Sequence, residues 1–226
     1  MKTRLPSFSR VPQLGRFLLA LLIPLSLGCT SASPKVNIDI QELVSQSHAL
    51  GQPITSILTV AMREGTSVAA QQTDLDNSSA PPIELEVPAG DVLFELTGYS
   101  TLDSGELTPT YFGDRKVSIE PFEENLLQLA LFPAGTLDVE VDLSGTDEEL
   151  PDTVVRFIPI NLKPGQSEYY ESSFTRGTLT RILPAGRYKV RAEASFAGRE
   201  FRELSDDVLV ELSQGQTNKL IVEVNM

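Results

Sequence analysis

The chain has 226 residues, with 18 basic against 31 acidic side chains, one histidine, one cysteine and no tryptophan. A formal charge of −13 repels polyanions at long range, which excludes a nucleic-acid partner. A single cysteine excludes a disulfide framework and a metal site built from thiolates.

The first element is an address. Lys2, Arg4, Arg10 and Arg16 precede an apolar run from Phe17 to Leu27 that Pro24 interrupts. As a helix the run would rise about 16 Å, short of the roughly 30 Å hydrocarbon core, so it predicts the core of a secretory leader and not a permanent span. The run ends in Leu25-Ser26-Leu27-Gly28-Cys29. A small residue before the lone cysteine resembles the lipobox of bacterial lipoproteins, in the looser pattern that allows Ser26 and Leu27 at the two preceding positions. The resemblance implies cleavage between Gly28 and Cys29 and a covalent lipid on Cys29, with a signal peptide over 1–28 and a tether over 29–34. Thr30, being no aspartate, implies the outer membrane. The leader takes four basic residues and no acid, so the remaining 198 residues carry 14 basic against 31 acidic, a net −17.

Beyond the tether the pattern has period 2, the signature of half-buried strands. Val36, Ile38 and Ile40 alternate with Asn37 and Asp39. Gln41 to Ala49 is the one stretch with helical character. Ile57 to Met62 reads as a central strand, closed by a Glu64-Gly65 turn. After Asp76-Asn77 and Pro88-Ala89-Gly90 come further strands, and the pattern then starts again. Leu137, Val139, Val141 and Leu143 oppose Asp138, Glu140 and Asp142; Val154 to Ile160 is more continuously apolar; Tyr188, Val190, Ala192 and Ala194 oppose Arg187, Lys189, Arg191 and Glu193; Leu220, Val222 and Val224 close the second copy.

The restart is an internal duplication. Val87 to Phe94 matches Leu183 to Val190 at an offset of 96, Lys35 to Asp39 matches Gly135 to Val139 at 100, and Asn125 to Leu129 matches Asn218 to Val222 at 93. Two copies over 35–132 and 135–226 account for it, joined by the short connection Phe132-Pro133-Ala134-Gly135. About seven strands per copy, each with one apolar face, predict an all-β chain of two tandem β-sandwich domains, prealbumin- or immunoglobulin-like.

An apolar residue, Pro-Ala-Gly and alternating apolar residues are similar to a turn of transthyretin-like bacterial modules, the carboxypeptidase-regulatory-like and Cna-B-type domains. Gly98-Tyr99 and Thr73-Asp74 fit the same resemblance. Pro88 and Pro184 would preset the turn, and Gly90 and Gly186 would accept the positive φ that reverses the chain. Such modules serve as stalks, spacers and accessory domains. Some carry a Lys–Asn isopeptide bond promoted by an inward glutamate. Here the inward positions are Leu96 and Ala192, while Glu95, Glu193 and Lys35 lie outward, so no such bond is expected.

No constellation of catalytic chemistry stands out, and the chain is read as no enzyme and without a cofactor. His48 is a solvated residue of a polar segment, with no Gly-x-Ser-x-Gly elbow to accompany it. Paired acids such as Glu123-Glu124 and Asp147-Glu148-Glu149 are what the composition supplies. No metal site is expected; the nearest approach to calcium ligands is Asp74, Asp76 and Asn77, which lack the further Asp and Gly of a calcium loop. Tyr111-Phe112 and Tyr169-Tyr170 could meet sugars, one member of each pair facing the core and one facing out. The acidic row Asp138, Glu140, Asp142 and the basic row Arg187, Lys189, Arg191 either pair across one sheet or leave the basic row as a docking stripe.

The function these features imply is that of a membrane-anchored envelope lipoprotein with a spacer or assembly role. Its partners would be the bilayer, through Cys29, and an envelope protein. The second reading is a glycan- or ligand-binding accessory module.

Overall fold

A computed structural model describes residues 33–75, 80–102, 105–144, 152–174, 178–195 and 202–225, which belong to one compact unit. The fold is all-β, with one helix among the described residues. The first seven strands are β1 (Lys35–Ile38), β2 (Ser56–Arg63), β3 (Thr66–Asp74), β4 (Ile83–Glu86), β5 (Gly90–Thr101), β6 (Leu107–Ile119) and β7 (Asn125–Leu127). The others are β8 (Phe132–Ser144), β9 (Asp152–Pro159), β10 (Tyr170–Phe174), β11 (Thr178–Pro184), β12 (Gly186–Ser195), β13 (Arg202–Leu204), β14 (Val208–Leu212) and β15 (Thr217–Asn225).

Helix α1 (Gln41–Ala49) follows β1. The Asp39 carboxylate accepts the Gln41 N–H at 3.0 Å, satisfying a donor that the first turn leaves over. Ser47 is buried because its hydroxyl works twice, donating to the Val44 carbonyl at 2.7 Å and accepting the Ile54 N–H at 3.1 Å. Gly51, at φ +77°, lets the chain leave the helix. Glu64 and Gly65, at φ +51° and +77°, form the tight turn of the β2–β3 hairpin. Two successive positive φ values match the right-handed twist of the strands.

One pairing scheme occurs twice. β1 is antiparallel to β4 and parallel to β7; β8 is antiparallel to β11 and parallel to β15. Facing these, β3-β2-β5-β6 is antiparallel throughout, as is β10-β9-β12 with β13 and β14 along the far side of β12. The register corrects one offset of the duplication. Asn125 stands opposite Val36, and Asn218 stands opposite Leu137. Val36 therefore corresponds to Leu137, an offset of 101 and not 100. A slip of one residue exchanges the buried and exposed faces of a strand, and Val36 and Leu137 are both fully buried.

Each scheme encloses its own apolar cluster. The first holds Ile38, Ile57, Phe94, Leu96 and Tyr111 among others, and the second holds Leu137, Phe157, Leu183, Tyr188 and Val190. The Pro-Ala-Gly segments do not reverse the chain into hairpins. β4 and β5 lie in different sheets, as do β11 and β12, so each segment is a crossing from one layer to the other. Gly90 takes φ +108°, while Gly186, at φ +159°, is nearly extended. Tyr188 holds the second crossing: its hydroxyl donates to the Pro184 carbonyl at 2.6 Å.

The connection Phe132-Pro133-Ala134-Gly135 is no loop but the start of β8, and it pairs with the middle of β6, Tyr111 opposite Pro133 and Phe112 opposite Phe132. One hydrogen-bonded sheet thus runs β11-β8-β6-β5-β2-β3 through both halves.

Candidate functional site

The two halves meet along the outer face of β5 and β6. Alternation along β6 gives Tyr111 to the first core and Phe112 to the second. Both are buried, 3% and 2% exposed, which corrects the expectation that one of the pair faces out. The face opposite the first core is covered by the second half. Phe112 meets Tyr170 edge to face, at 6.0 Å between ring centroids.

Beside Phe112 the junction turns polar. Glu95, on the outer register of β5 as the sequence predicts, is enclosed by the second half and ion-paired to Arg181 of β11. The Arg181 guanidinium also lies over the Phe112 ring at 5.7 Å. Asp114 of β6 accepts the Ser167 hydroxyl. Burial is the largest influence on the Asp114 carboxyl and raises its pKa above the ordinary aspartate value; nearby Glu95 pushes the same way, while Ser167 and Arg181 oppose. Burial raises the Tyr170 phenol as well, reinforced by the Asp114 charge. The Tyr170 hydroxyl and Arg181 Nε are buried without hydrogen-bond partners.

These groups lie along a groove of about 1150 Å³. Its floor is the outer face of β5 and β6, including Leu93, Glu95 and Asp114; one wall is β10 with Tyr169, another is β11, and the β2–β3 turn borders it. Tyr169 is 57% exposed and Tyr170 only 4%, the split that alternation predicts. The groove went unseen in the sequence because alternation marks a side chain as outward without telling what covers that face. The one available signal was a pair of opposite charges: Glu95 on the outward register of β5, and Arg181 on the core-facing register of β11, opposite the buried Leu137.

The remaining sequence-level candidates do not converge on the groove. Gly28, Cys29, Asp76, Asn77 and Asp147-Glu148-Glu149 lie outside the described residues. Asp74 ends β3 opposite Ser56. His48 is exposed in the last turn of α1. Glu124 accepts the Asn37 side-chain amide at 3.2 Å. Lys35 reaches Glu84 across the β1–β4 pair at 3.5 Å. Among the described residues no group of three or more His, Cys, Asp or Glu side chains is placed to hold a metal ion, and no helix is long and apolar enough to cross a membrane.

The two charged rows fall on different sheets, β8 and β12. The basic row is nonetheless matched locally: Arg191 and Lys189 reach Asp207 at 2.7 and 3.8 Å, and Arg187 stands opposite Glu211. Arg156, between Glu171 and Glu193, extends the same ladder. A positive docking stripe is therefore absent from this face of the described residues.

The class these strands define is an all-β sandwich. No protein-family model matches the sequence, and no curated protein matches it. Among solved structures the chain is similar to a leucine-rich repeat protein from Bacteroides thetaiotaomicron, at 15% identity and TM-score 0.45, over 86% of this chain and 26% of that one. It is also similar to the Bacillus anthracis TIE protein, at 16% identity and TM-score 0.30, over 85% and 34%. A third is the minor pilin of Streptococcus agalactiae, at 9% identity and TM-score 0.28, over 85% and 95%. The chain spans about a quarter to a third of the length of the first two.

Proposed function

We propose that this chain is a non-catalytic, membrane-anchored lipoprotein of the bacterial cell envelope, acting as a spacer and assembly component. The leader and Cys29 supply the anchor: one acyl chain holds a protein marginally, and two or more hold it stably. The two modules, 35–132 and 135–226, supply the body. The observation that carries the reading is the fusion of the halves. β8 continues the sheet of β6, and Phe112 of the first half is buried in the second core. Such a unit holds the surfaces of both halves in one fixed frame, which is what an assembly component requires. Two measurements test this. Labelled palmitate should enter the wild-type chain and not Cys29→Ser. Proximity crosslinking in its own cells should recover the same few envelope proteins repeatedly; recovery of abundant bystanders alone would remove the assembly role.

A second reading, a glycan-binding accessory module, draws on Tyr169, whose exposed ring stands at the rim of a groove with several carboxylates. Retention of peptidoglycan or polysaccharide fragments by the wild type, lost in Tyr169→Ala, would favour it.

A further inference from the structure

We propose that the groove binds an extended, lysine- or arginine-bearing peptide segment of another envelope protein, added as a strand to the free edge of β10. The proposal rests on the assembly reading above and names the surface that would serve it.

The backbone of β10 shows the vacancy. Among the described residues β10 pairs only with β9, and it ends its sheet. In an antiparallel ladder each residue directs its N–H and C=O to one side, alternating along the strand. Ala192 directs both groups away from β9, since its N–H donates to Ser205 Oγ and its carbonyl accepts the Ser205 N–H. Arg191 and Glu193 therefore bond to β9, at Arg156 and Val154. Val155 and Phe157 of β9 then face β10, at Ser172 and Tyr170. The groups left over on β10 are the N–H and C=O of Glu171 and Ser173, two residues apart, on the strand that walls the groove. That is the spacing at which an incoming strand bonds. Free edges are commonly blunted by lysine, proline or a bulge. β10, Tyr-Glu-Ser-Ser-Phe, carries neither residue, and its register with β9 is unbroken.

Size and charge select the occupant. Small-molecule sites run to roughly 300–1,000 Å³, and this groove is larger. Of its cations, Arg181 is held by Glu95, Lys116 by Asp91 at 3.3 Å, and Arg63 donates to the Ala89 carbonyl at 3.4 Å. Its anions are in excess: among the described residues Glu64, Glu168 and Asp114 make no ion pair, Asp114 accepting the Ser167 hydroxyl. A strand with basic side chains at alternate positions would match both the free backbone groups and this surplus.

The test uses the full chain in detergent and fluorescein-labelled octapeptides in which valine or threonine alternates with lysine, serine or glutamate. The lysine series should bind about tenfold or more tighter than the glutamate series. Binding should slow hydrogen exchange at the Glu171 and Ser173 amides. Ser173→Pro removes an edge N–H without touching the β9 ladder, so it should abolish binding at an unchanged Tm. Glu64→Lys with Glu168→Lys, both on exposed turns, should weaken the lysine series whether or not the proline variant folds. Equal binding of the two series, no binding, or protection away from β10 overturns the proposal. So does displacement by glycan fragments, or self-association of the chain through this edge. Because peptide binding is measured on purified protein, its failure is distinguishable from failure of the assembly role in cells.

Discussion

Glu95 and Arg181 lie 86 positions apart and close a two-point contact between the halves. Arg181 Nη1 donates to one carboxylate oxygen at 3.3 Å, and Nη2 donates to the other. The side chains are only 13% and 20% exposed, so neither is fully hydrated. Breaking one partner of a buried pair leaves the other charge stranded, whereas replacing both restores most of the loss. Arg181→Met should cost about 3 kcal/mol by urea unfolding, and Glu95→Leu with Arg181→Met markedly less than the sum of the single changes. Strict additivity would show that the contact contributes nothing.

Phe112→Ala should cost about 3–5 kcal/mol, the usual range for a buried phenylalanine. The informative readout is where the loss falls. Hydrogen exchange should speed at Val155, Phe157 and Val190 in the second core, although residue 112 belongs to a strand of the first half. Acceleration confined to the first core would contradict this placement.

Two glycines mark close approaches. A Cβ at Gly113 would stand 2.2 Å from the Ala130 carbonyl oxygen, and one at Gly135 would stand 2.5 Å from the Ser213 carbonyl oxygen. Neither contact can be accepted without backbone movement. Gly113→Ala and Gly135→Ala should each destabilise by about 1–3 kcal/mol, as overpacked sites do, seen as a lower Tm by circular dichroism. An unchanged Tm in either would mean that the neighbouring strand yields freely.

Asp114 gives the junction a dependence on pH. Its carboxyl is shifted upward, chiefly by burial, so in this range the folded chain holds a proton that the unfolded chain has released. Stability then falls as pH rises through the shifted value, and the loss is complete above it. Compared with Asp114→Asn, the wild type should gain stability on acidification into the carboxylate range and be relatively weaker at neutral pH. Thermal melts of both proteins across that range check the sign. A gap that narrows at neutral pH and widens in acid, with the wild type the weaker, would refute it.

Much of the strand content could be read from alternation alone. Tyr188, Val190, Ala192 and Ala194 are buried in the phase that the sequence indicates, and Gln41–Ala49 is helical. What could not be read has a common cause: each strand's pattern reports its two faces, not what lies against them. Glu95 reads as solvated until β11 covers it. Tyr111 and Phe112 break the one-in, one-out rule because β6 has a core on either side. The offset of 100 sets Val36 against Thr136, which is half-buried, whereas the apolar phase and the partners Asn125 and Asn218 set Val36 against Leu137.

Because Phe112 is encoded with one half and packs in the other, the duplicated gene can no longer be cut at its seam. A fragment ending before β8 would display an uncovered phenylalanine, and a fragment beginning there would have a hole where that ring belongs. Recombination that shuffles single modules between proteins would be penalised on both sides of the break. The pair is thereby committed to being inherited as one unit.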